Sequence, residues 1–225
     1  MTRGLLRLAL VGLCAFAVYR CAAALIRLAE GLSLHGDLFR YPAWGAVHFA
    51  SGALFACLVP LQLWTGLRGR HRSLHRWAGR TTLASALVMA MSGIGLAYAM
   101  PQRPLGERAF MTTVFVLFLS FAAMAWRAAR ARDFERHREW VTRMVAGGLA
   151  AITQRLVFIP FAMAGIRSLP DFWDKFVAAA WLASLVNLAV AEWVIATRRR
   201  MGRAVQAKRA HFSPMRSTPF TVTRA

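Results

Sequence analysis

The sequence predicts an all-α fold: a polytopic membrane helical bundle with six transmembrane helices and a central four-helix core. Three observations carry that expectation. Of the 225 residues 58% are hydrophobic and mean hydropathy is +0.44, more apolar than the surface of a soluble domain tolerates. The apolar residues fall in six runs, each near the roughly 20 residues a helix needs to cross the hydrocarbon of a bilayer. None of these runs alternates with a period of two, as a barrel would require, so helix is the conformation that satisfies the backbone in lipid.

The runs lie at 5–26, 44–66, 81–100, 109–126, 141–163 and 176–197. The first, preceded by MTRGLLR and followed by CAAA, also has the layout of a signal peptide. Residues 28–42, LAEGLSLHGDLFRYP, form a partly amphipathic loop, and the tail from Arg198 is basic and lacks a hydrophobic period, which predicts disorder next to anionic lipid. The chain thus divides into a first helix and loop (1–43), a four-helix core (44–166), a sixth span (167–197) and a basic tail (198–225). Cys14, Cys21 and Cys57 all sit in apolar runs without metal-type spacing and are expected to pack as small apolar residues.

Charge sets the expected orientation. With both termini cytoplasmic, 21 of the 29 Lys and Arg residues fall on the inner side and 6 on the outer, while Arg20 and Arg155 fall within spans. This is the asymmetry of a multi-pass protein of the bacterial inner membrane. The net charge of +20 does not point to nucleic acid, because the arginines form short clusters between apolar runs and not a stripe on one soluble face. Membrane lipid is the expected contact.

Polar residues inside the spans are candidates for function, since each is unfavourable in hydrocarbon unless paired. Three runs carry a stripe at helical spacing. These are His48, Gly52, Phe55, Val59, Gln62 and Gly66; His75, Gly79, Thr82, Ala86, Met89 and Gly93; and His137, Val141, Met144, Gly148, Ala151, Arg155 and Phe158. The bland reading is close helix packing over small residues, with His and Gln bonding across the interface. The sharper reading is a b-type haem: His75 and His137 share a depth on different helices, so their imidazoles suit the two axial positions. Glycines would admit the porphyrin, Arg80 and Arg143 would meet its propionates, and His48, Gln62 and Arg155 would line the interior. His71 and His75 at i, i+4, with Asp133 or Glu135, offer a metal site instead, although a structural zinc normally has cysteines or a third histidine. Glu192 lies at the depth of Arg7, and an Arg7–Glu192 pair is expected to tie the outer helices together.

The motifs HFASG (48–52), PLQ (60–62), Arg68, HRWAGR (75–80), RD (132–133), HREW (137–140) and QR (154–155) resemble, in order and spacing, the bacterial membrane-protein family called domain of unknown function 2306. The resemblance covers the second to fifth runs and implies a four-helix core with variable flanking helices, loosely similar to two-haem b-type cytochromes. Such cytochromes carry four axial histidines. Here the outer half offers only His48, so one bis-histidine haem at most is implied. The function expected is haem-linked electron transfer with a quinone or membrane redox partner. The alternatives are a non-catalytic scaffold or assembly subunit, and a small anion or proton carrier, for which Pro60 and Pro160 would break helices. No P-loop, nucleophile elbow or dinucleotide fingerprint is present.

Overall fold

The protein was analysed as a computed structural model that describes residues 2–31, 41–68, 71–100 and 103–212. Seven helices follow one another: α1 (Thr2–Ala29), α2 (Pro42–Arg68), α3 (Arg72–Ala99), α4 (Leu105–Arg130), α5 (Phe134–Gly148), α6 (Ala150–Met163) and α7 (Leu169–Phe212). The described residues contain no strand. Five helices are each long and apolar enough to cross a membrane, and α5 with α6, bent by 45° at Leu149, are so only when taken together. The loop that follows α1, with His35, lies largely outside the described residues.

Helices extend past the apolar runs wherever polar residues also favour the conformation. HRSLHRWAGR is therefore mostly the first turns of α3. The tail is not unstructured from Arg198: α7 continues unbroken to Phe212, 44 residues or about 66 Å long. That exceeds the roughly 40–45 Å of a bilayer with its headgroups, so a basic arm projects beyond the membrane.

Helices α1 to α4 pack in chain order, α5 packs on α4, and α7 packs on α6, α5 and α4. Phe55 of α2 and Phe118 of α4 meet edge to face at the centre, with ring centroids 5.6 Å apart at 75°. Val59, Ala86, Ala90, Ala122, Met144 and Leu149 complete the core. The three stripes face inward as far as Met144, and their glycines receive side chains from neighbouring helices. Gly148 lies under Phe55 and Phe118, Gly93 under Phe115, Gly79 against Gln62 and Gly66 against His75. Lipid supplies little hydrophobic drive between helices, so this contact is what selects the packing.

The prolines do not break their helices. Pro60 and Pro160 lie within α2 and α6, and the break falls at Gly147–Gly148–Leu149, a glycine pair whose helix kinks because nothing there stiffens the backbone. The turn from α4 to α5 is fixed differently. The Asp133 N–H donates to the Ala128 carbonyl (3.0 Å) and the Arg132 N–H to that of Ala129 (3.1 Å), the paired bonds of a Schellman end. Arg132 adopts φ 58°, where glycine is usual, and the Asp133 carboxylate then caps α5 by accepting from the Arg136 N–H at 3.0 Å.

Three substitutions test these points by thermal unfolding in detergent. A Cβ at position 148 would stand 2.6 Å from the Phe55 ring, so Gly148→Ala should destabilise by about 1–3 kcal/mol, while Gly12→Ala, with nothing within 4 Å, should not. Arg132→Gly relieves the left-handed backbone and should stabilise by about 1 kcal/mol. Equal melting temperatures for wild type and Gly148→Ala would refute the packing account.

Candidate functional site

The basic ends of α2, α3, α4 and α5 bring together Gln62, Thr65, His75 and His137. The Gln62 Nε2 donates to the His75 carbonyl at 2.9 Å, tying α2 to α3. The Thr65 hydroxyl lies 2.8 Å from the Leu61 carbonyl and 3.0 Å from Nδ1 of His75; with its proton given to Leu61 it accepts from the His75 Nδ1–H. On α5, His137 Nδ1 lies 2.9 Å from the Ala125 carbonyl of α4, and because a carbonyl only accepts, Nδ1 carries the proton. Both rings are half-buried, and His137 is within electrostatic range of His75.

With the Thr65 proton on Leu61 the two imidazoles share one tautomer. Each Nδ1–H then has an acceptor on a neighbouring helix, and each Nε2 keeps its lone pair. This is how a metal-ligating histidine is oriented, with its second nitrogen held by a carbonyl or comparable acceptor. The donor chemistry fits an axial pair. The glycines beside it do not widen the site, because Gly66 and Gly79 are covered by His75 and Gln62.

His48 repeats the pattern at the opposite end of α2. Its Nδ1 lies 3.0 Å from the Met89 carbonyl and 3.3 Å from Ser92 Oγ, whose hydroxyl donates to Val88 at 2.7 Å. His48 thus packs against α3 and lies within electrostatic range of Arg155.

The expected arginines stand elsewhere. Arg80 follows His75 by five residues, about 140° round the helix, and is exposed. Arg143 gives its guanidinium to Glu192 of α7 in a bidentate pair, Nε–Oε1 2.6 Å and Nη2–Oε2 2.9 Å, and lies 4.7 Å over the Trp140 ring. Glu192 therefore pairs with Arg143 and not with Arg7. Arg155 was expected on the face of His137 five turns away, but that holds only for a straight helix. The break at Leu149 turns the stripe outward, and Arg155 reaches the surface beside α1. Its Nη1 bonds back to the Ala151 carbonyl (2.5 Å) and to Gln154 Oε1 (3.3 Å). An arginine at such depth is unfavourable by about 2.5–3.5 kcal/mol at a helix centre unless it is paired or reaches water.

The metal alternative falls away. His71 stacks on Trp64 with centroids 5.5 Å apart at 14°, Asp133 caps α5, and no group of three His, Cys, Asp or Glu residues converges among the described residues.

Two features went unread in the sequence. Thr65 reads as an ordinary apolar-run threonine, yet it is buried and sets the His75 ring. Glu107, in the first turn of α4, is fully buried and ion-paired with Arg103, and the i, i+4 spacing of the two was its only signal.

A family model described as a predicted membrane protein, domain of unknown function 2306, matches residues 45–195. No curated protein and no solved structure matches the chain.

The Arg143–Glu192 bridge is open to a double-mutant cycle. Arg143→Ala and Glu192→Ala, measured singly and together, should show a coupling of about 0.5–1 kcal/mol, in line with a half-exposed bidentate pair. Strictly additive losses would mean that the pair adds nothing.

Proposed function

The chain belongs to the domain of unknown function 2306 family of predicted membrane proteins, and on that footing we propose that it is a b-type cytochrome whose single haem is held by His75 and His137. The observation that supports the reading is a shared contact: Nδ1 of His75 faces Thr65 and Nδ1 of His137 faces the Ala125 carbonyl, an arrangement that with both protons on Nδ1 leaves both Nε2 atoms as ligands. The haem supplies one-electron redox chemistry at a potential tuned by its axial ligands. The protein's part is to hold two imidazoles on α3 and α5 in fixed rotation and to enclose the site with α2 and α4. Thr65 raises the basicity of His75 through its hydrogen bond, and Gln62 fixes the first turns of α3 by bonding the carbonyl of the same residue.

In this reading the basic face is the cytoplasmic face of a bacterial inner membrane, by the charge asymmetry of the loops. The electron partner is then a quinone or a membrane redox protein. Arg143 is left out of propionate binding, since Glu192 holds it.

A scaffold role is the second reading. It is favoured by the stripe glycines, whose faces are filled by the chain's own Phe115, Phe55, Gln62 and His75.

Visible spectroscopy separates the two. Protein purified from haem-replete cells should show a Soret band and, after dithionite, sharpened α and β bands. His75→Ala and His137→Ala should each abolish them, whereas His71→Ala should keep them. Thr65→Val should weaken haem retention about tenfold, the usual effect of removing a hydrogen bond behind a ligand. A colourless wild-type preparation ends the cytochrome reading and leaves the scaffold.

A further inference from the structure

Two arginines come within electrostatic range of one another on the far side of the bundle from the histidine pair. Arg20 of α1 lies nine residues before Ala29, and Arg155 of α6 lies eight before Met163. Both helices run toward the same face, so the two Cα atoms sit about 12–14 Å below their helix ends, level with one another and within the hydrocarbon. Both side chains are exposed at the molecular surface, where α1 and α6 touch only lightly.

Neither arginine has an acidic partner among the described residues. None of the five ion pairs among the described residues includes Arg20 or Arg155, and the charges acting on Arg155 come from Arg20 and Cys21. His48 lies in range from α2 and is held by α3, so it offers no anion either. Only Nη1 of Arg155 is engaged, with its own helix, which leaves Nε and Nη2 free to donate outward. Two like charges at one depth in hydrocarbon repel each other and favour an oxyanion between them.

We infer that the crease between α1 and α6 binds a phosphate-type oxyanion through Arg20 and Arg155. Guanidinium forks match the paired oxygens of a phosphate, and both side chains are long enough to reach from this depth toward the headgroup level. The oxyanion is the headgroup of a lipid in the adjacent leaflet or a free phosphate, and the two sources behave differently on titration.

The experiment uses the full chain in detergent. Its thermal stability is followed while phosphatidylglycerol, phosphatidylcholine or inorganic phosphate is added. Phosphatidylglycerol should raise the melting temperature by about 5 °C more than phosphatidylcholine. A shift with phosphatidylglycerol alone assigns a lipid headgroup, and an equal shift with millimolar inorganic phosphate assigns a free anion. Arg20→Gln with Arg155→Gln should abolish the shift, whereas Arg20→Lys with Arg155→Lys should keep at least half of it. Each single Gln variant should weaken apparent affinity about tenfold. The basic arm is a second place for anionic lipid, so Arg199→Gln with Arg203→Gln must retain the shift. If the double Gln variant does not fold, the single Gln variants and the double Lys variant decide. Undiminished shifts in the Gln variants, or no shift of the wild type with either anion, overturn the inference.

Discussion

In hydrocarbon no water is at hand to complete a hydrogen bond, and that constraint runs through the whole bundle. Hydroxyls of Ser51, Thr65, Thr82, Ser92 and Ser184 turn back to carbonyls four residues earlier in their own helices. The longer polar side chains reach instead to a neighbouring backbone. Gln62 bonds α3, His48 bonds α3, His137 bonds α4 and Asn187 bonds α5. Each such bond fixes a helix pair in rotation and in height. The same bonds decide which ring nitrogen of each histidine carries its proton, so packing and coordination chemistry have a common origin here.

Close packing at the centre follows from residues that lack a side chain. Gly148 lets Phe55 and Phe118 come together across three helices, and the adjoining Gly147 lets the fifth span bend there. One sequence feature thus supplies both the tightest contact and the kink. The kink has chemical consequences. Before it the stripe points inward and carries His137; after it the stripe points out and carries Arg155 to the surface.

Most of the fold was legible because lipid leaves so few choices. Six apolar runs, the positive loops and the inward stripes all follow from composition and period. That His75 and His137 lie at a common level was legible for a similar reason, since depth along a span is simply counted in residues. What sequence could not carry was rotation and partnership. Arg80 and Arg143 share the depth of the histidines yet stand about 120–140° away from them on their helices. The partner of Glu192 depends on which helix lies beside α7, and hydropathy gives no helix order. The Leu149 bend could not be told from a straight span, since Gly-Gly occurs in both. The helical extension of α7 was missed because its residues are charged, although Ala, Arg, Met, Gln and Lys are good helix formers.

The seam between α5 and α7 carries three polar rungs in antiparallel order: Asn187 to Ala146, Glu192 to Arg143 and Arg199 to Glu139, the last bidentate at 2.6 Å. They climb from the buried bundle to the projecting arm, while α5 itself bears His137 two residues beyond the third. Whatever grips the arm from outside the membrane is therefore linked by these three rungs to the helix that carries His137.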